Sequence, residues 1–135
     1  MKHKAVLTLE DVKRIAAASE AEAMKNQWAV AIAIVDDGGH LLWLQRLDGA
    51  APVSSHIAPA KARTAALGRR ESRVYEEMIN QGRASFLSVP FVDGLLEGGV
   101  PVMVDGQCIG AVGVSGVKSS EDVQIAKAGI AALGV

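Results

Sequence analysis

Eight residues, Trp28 to Val35, constrain the fold of this 135-residue chain more than any other segment. Alternate side chains of an extended strand point to opposite faces. Trp28, Val30, Ile32 and Ile34 fall on one face, and Ala29, Ala31, Ala33 and Val35 on the other. Both faces are apolar, so the segment reads as a central strand covered on both sides. The alanine face has little volume, so a helix or another subunit must come close to it. The run is also far too short to span a bilayer.

Turn chemistry on either side extends this strand into a sheet. Asp36-Asp37-Gly38-Gly39 is a hairpin turn by composition, with Leu41 to Leu47 as the returning strand and Arg46 near its end. A second hairpin joins Pro101–Val104 to Gln107–Ser115 across Asp105-Gly106. Its second strand holds Gly110 and Gly113. Glycines weaken a strand unless a backbone, helix or ligand must approach it. Hairpins imply antiparallel pairing, and helices must cover the sheet.

Helical periodicity appears in four places. Thr8 and Asp11 form a capping box before a helix predicted over Leu9–Lys25, with Leu9, Val12, Ala16, Ser19 and Ala23 on one stripe. Ser54 and Ser55 open a second, alanine-rich helix, with Pro59 read as lying in its first turn. A further helix follows over Ser72–Asn80. Ser119-Ser120-Glu121-Asp122 reads as a capping box for a last helix carrying Val123, Ala126, Ile130 and Leu133. Gly82 to Gly99 is the least regular stretch, and long irregular connections are often functional. No linker or repeat divides the chain, so residues 1–135 read as one domain.

Composition excludes several classes. Apolar residues make up 50% of the chain but aromatics only 4%, so the core must be aliphatic and tightly packed. The formal net charge of −1 offers no basic excess for nucleic acid. A single cysteine, Cys108, rules out an internal disulfide, and its apolar surroundings suit a small buried side chain. No apolar stretch follows Lys2 and Lys4, so the chain is expected in the cytoplasm and off the membrane.

Candidate chemistry is sparse. His3, His40 and His56 show no metal-site spacing, and His56 at a helix start is the one best placed for a ligand. Arg46 at a strand end can hold a carboxylate. Lys61 sits among alanines, where it either meets a ligand or forms a structural pair. Gly98 and Gly99, like the Gly113–Gly116 segment, could let a ligand approach the backbone, but neither is a phosphate loop. Ser115 lacks a nucleophile elbow, and no acid pair is marked for acid–base work. Whether the chain is an enzyme stays open.

Five segments recur in an order that resembles the GlcG/HbpS-like family, often labelled haem-degrading. They are Val35-Asp36-Asp37-Gly38-Gly39, Arg46-Leu47-Asp48-Gly49-Ala50, Ala58 to Ala65 around Lys61, Gly98-Gly99-Val100-Pro101-Val102 and Gly110 to Gly116, joined by Asp122 and Ala126. The resemblance implies an α/β (α+β), profilin-like two-layer fold with an antiparallel five-stranded sheet flanked by helices. It also implies a homo-oligomer, an octamer in some members. Relatives include haem binders, domains beside cobalamin adenosyltransferases, and proteins encoded with catabolic enzymes.

Three functions therefore stay open. In the first, the chain binds haem or another tetrapyrrole, with Phe86, Val89 and Phe91 flanking the ring, His56 or a methionine near the metal, and Arg46 or Lys61 on the propionates. In the second, it is an accessory protein or enzyme acting on a small organic acid held by Arg46 and Lys61. In the third, it is an oligomeric interaction protein with no small ligand. The expected ligand-binding set is Arg46, His56, Lys61, Phe86, Phe91, Gly98 and Gly99.

Overall fold

The large-and-small alternation is realised in strand β1, Ala31–Asp36, of the computed structural model, which describes residues 1–135. Strand β2 spans Leu41–Arg46, β3 Gly99–Val104 and β4 Gln107–Ser115. The order across the sheet is β2-β1-β4-β3, and every pairing is antiparallel. Both hairpins form where their turn residues stand. The central strands β1 and β4 are buried almost throughout.

Each face of β1 meets what its volume admits. Ile32 and Ile34 join Val100, Val102, Val112 and Val114 beneath helix α1, Leu9–Lys25, and helix α4, Ser119–Ala131. Ala31, Ala33 and Val35 join Ala111 beneath helix α2, Ser54–Gly68, which answers with Ala58, Ala62, Ala65 and Ala66. All eight of these small residues are essentially inaccessible. Gly113 completes the fit, because a Cβ there would collide with the Ala58 carbonyl oxygen.

Two expectations need correction. The sheet has four strands, not five. The region between α2 and β3 instead folds as helix α3, Arg73–Asn80, a short 3₁₀ turn at Ala84–Ser88 and a loop. It contributes no strand: Ala84–Ser88 is taken up by the 3₁₀ turn, and Gly82, Pro90 and Gly94 are residue types that weaken a ladder. The architecture also has helices on both faces, hence three layers rather than two, as β1 and β4 with two apolar faces require.

Local details follow the same logic. The Thr8–Asp11 capping box is complete. Ile15 takes the inward position expected for Leu9, which is exposed at the helix start. Ser19 sits in the α1–α4 contact, and its hydroxyl donates to the Ile125 carbonyl at 2.9 Å. Pro59 lies in the second turn of α2, not the first. Its missing N–H would have served the half-buried Ser55 carbonyl residue near the helix start, so the lost bond is cheap. No helix is long and apolar enough to cross a membrane.

Candidate functional site

Lys61 points from α2 beneath the Gly98-Gly99 turn. Its Nζ donates to Asp122 Oδ2 at 3.1 Å and to the Val114 carbonyl at 3.0 Å. Both charged side chains are buried, at 5% and 3% exposure. Burial outweighs the attraction of Lys61 and pushes the Asp122 carboxyl up to about 6. The other carboxylate oxygen, Oδ1, accepts from the Val117 N–H at 3.3 Å. The expected capping box at the start of α4 is thus divided. Glu121 accepts from the Lys118 N–H at 3.2 Å, while Asp122 turns inward to Lys61.

The glycines roof this pair. Gly98 has φ +136°, and a Cβ there would stand 2.6 Å from Lys61 Nζ and 2.7 Å from the Val114 oxygen. Gly99 lies against the Lys61 carbonyl. Its N–H donates to Ser72 Oγ at 2.8 Å, and its carbonyl accepts from the Ser72 N–H at 3.0 Å. Lys61, Gly98 and Gly99 are therefore brought together, with Ser72 and Asp122 as partners that spacing alone did not single out.

The remaining residues lie elsewhere. His56 is exposed in the first turn of α2. It shares a helix face with Ala60 and Arg63, at positions i, i+4 and i+7. Gly94 lies on the backbone of Ala60, and Asp93 pairs with Arg63 at 3.1 Å. The irregular segment thus packs along the same side of α2 that carries His56. Within it, Phe86 packs against Tyr75, with ring centroids 5.4 Å apart. Phe91 is 82% exposed at φ +67°, and Leu87, Val89 and Leu96 of the same segment are exposed as well. The other histidines differ in setting. His40 Nδ1 is held by Asp36 Oδ1 at 3.1 Å, and His3 lies in the exposed N-terminal segment.

Arg46 stands in a cleft of about 610 Å³ at the open end of β2, which none of the other expected site residues lines. Trp28, Met24 and Leu47 supply its apolar wall, and Asp48 shares it with Arg46. Trp28 reaches this cleft because α1 ends in a tight reversal. Gln27 adopts φ +60°, and the N–H groups of Gln27 and Trp28 return to Met24 and Ala23. Trp28 thus belongs to a rim rather than to β1, where alternation alone had placed it. The Arg46-Leu47-Asp48 segment marks one wall of this cleft, but its partners Glu20, Met24 and Trp28 come from α1 and the reversal after it, far away in sequence.

The family described as haem degrading protein HbpS-like matches residues 7–131. GlcG of Escherichia coli strain K12 is 57% identical over 115 residues, 85% of each chain. The crystal structure of a double Glu→Asp variant of Streptomyces reticuli HbpS has a TM-score of 0.90 at 32% identity, covering 100% of this chain and 92% of that one. The crystal structure of a PduOC:haem complex has a TM-score of 0.85 at 30% identity, covering 95% of each chain.

Proposed function

The chain belongs to the HbpS-like family, and on that premise we propose that it binds haem or a related tetrapyrrole as a cytoplasmic homo-oligomer. One observation carries the reading: the whole domain matches a relative whose crystal structure is a haem complex. The surface of the irregular segment suits such a ligand. Phe91, Leu87, Val89 and Leu96 expose apolar area that would suit a flat ring, and Phe86 of the same segment packs on Tyr75. His56, on the same side of α2, offers an imidazole to the iron. Bound haem would supply redox chemistry at its iron. The chain's own part is to present the imidazole and keep water from one ring face.

Lys61, Gly98 and Gly99 act behind this surface by fixing the turn that leads from the irregular segment into β3. Oligomerisation is supported by the edge strand β2, which exposes Leu41, Leu42 and Leu44.

Titration of the apo-protein with haemin tests the reading. A saturable Soret shift at about one haem per chain is expected, weakened in His56→Ala. A shift that never saturates overturns it. Light scattering on the same samples reads the oligomer.

A further inference from the structure

We propose that the cleft between the end of α1 and the end of β2 binds a small zwitterion with an apolar body, chemically an α-amino acid with an aromatic or branched aliphatic side chain. This goes beyond the haem reading and concerns a different surface.

The charges carry the inference. Arg46, Asp48 and Glu20 line one cleft, yet none of the three belongs to any of the chain's ion pairs; the Glu20 carboxylate accepts from Gln45 Nε2 instead. They do not pair with each other either, so nothing within 4 Å neutralises them. Opposite charges held apart in a concave site complement a molecule that carries both signs. A guanidinium takes a carboxylate through two parallel N–H bonds, and a carboxylate takes an ammonium.

The wall between them fixes the rest of the ligand. Trp28 and Met24 line the cleft, and an indole and a thioether side chain suit an aromatic or branched apolar body. At about 610 Å³ the cleft lies within the range of small-molecule sites and exceeds what a one- or two-carbon acid would fill. One side is rigid. Gln45 Oε1 accepts from the Trp43 indole N–H at 2.7 Å, and Gln45 Nε2 donates to Glu20 Oε1 at 2.9 Å. That network ties β2 to α1 across the cleft, so the wall is formed before any ligand arrives.

The test uses the full-length chain and three probes: L-phenylalanine, 3-phenylpropionate, which lacks the ammonium, and phenethylamine, which lacks the carboxylate. Binding is read by calorimetry and by the tryptophan fluorescence of the unaltered chain, in which Trp28 lines the cleft. Saturable binding of L-phenylalanine is expected, weakened about tenfold or more by Arg46→Gln and by Asp48→Asn. 3-Phenylpropionate should bind more weakly and ignore Asp48→Asn. Phenethylamine should bind more weakly and ignore Arg46→Gln. The proposal is overturned if L-phenylalanine shows no saturable binding up to about 10 mM. It is equally overturned if both substitutions leave binding unchanged, or if 3-phenylpropionate binds as tightly as L-phenylalanine. Both side chains are exposed, so the variants should fold, and unchanged haemin titration of each separates this result from the fate of the haem reading.

Discussion

Lys61 Nζ and Asp122 Oδ2 meet at 3.1 Å inside the fold, although 61 positions separate them in the chain. The pair ties α2 to the first turn of α4 across the end of β4, where the Val114 carbonyl takes a second Lys61 proton. Two charges removed from water in this way gain little net stability, but losing one partner strands the other. Lys61→Met and Asp122→Ala should therefore each cost about 3–5 kcal/mol in urea unfolding. The double variant Lys61→Met with Asp122→Ala should cost clearly less than the sum of its two single changes. A double-mutant cycle giving additive costs would show that the contact carries no coupling.

The same pair sets a pH dependence of unusual sign. Folding raises the Asp122 carboxyl from 3.8 to about 6, so the folded state holds its proton more tightly than the unfolded chain. The stabilising contribution of proton uptake is fully present below about pH 4 and is lost as pH rises through about 6. Asp11, Glu22 and Asp37 work in the opposite direction. Hydrogen bonds from Thr8, Gln124 and Lys4 respectively lower their carboxyls, so their contributions are lost at more acid pH. As pH falls from 7 to 5, the unfolding free energy from urea titration should rise in the wild type by on the order of 1 kcal/mol, a rise that Asp122→Asn removes. Parallel pH profiles for the two proteins would contradict this.

Much of this fold was legible because volume and period are written in consecutive residues. The alanine face of β1 required a close neighbour, and α2 supplies it with four alanines. The hairpin turns Asp36–Gly39 and Asp105-Gly106 lie where their residue types demanded. Partnerships across the chain were harder to read. Asp122 carries the residue type of a helix cap, and nothing near it in sequence says that Lys61 will reach it. The Arg46 cleft was invisible for a related reason: Trp28 and Met24 join it only because Gln27 reverses the chain. The fifth strand failed because it rested on resemblance, while the breakers Gly82, Pro90 and Gly94 argued locally against it.

The glycines should separate into two kinds under substitution. Gly113→Ala drives a methyl into the Ala58 carbonyl oxygen, where both backbones are fixed by α2 and the sheet. A loss of about 3 kcal/mol or more is expected. Gly98→Ala adds a strained φ of +136° to contacts with Lys61 Nζ and the Val114 oxygen, and should be at least as harmful. Gly106→Ala has φ +76° but open space around it, so only the backbone term of about 1–2 kcal/mol applies. Thermal melts of the three variants check the order, which would be wrong if Gly106→Ala proved the worst.

Phe91 sets the last expectation, because its exposure and its backbone disagree with a structural role. An aromatic ring at 82% exposure contributes little burial, and φ +67° is unfavourable for it. Asparagine adopts that conformation more readily than phenylalanine. If the ring is kept for the ligand, Phe91→Asn should leave the melting temperature unchanged or slightly raised and weaken haemin binding several-fold. Phe86→Ala should behave differently. It removes the packing on Tyr75, so both stability and binding should fall together. Melting curves and haemin titrations on the two variants separate these outcomes. A destabilised Phe91→Asn with unaltered haemin affinity would assign the ring to the fold and move the haem surface elsewhere.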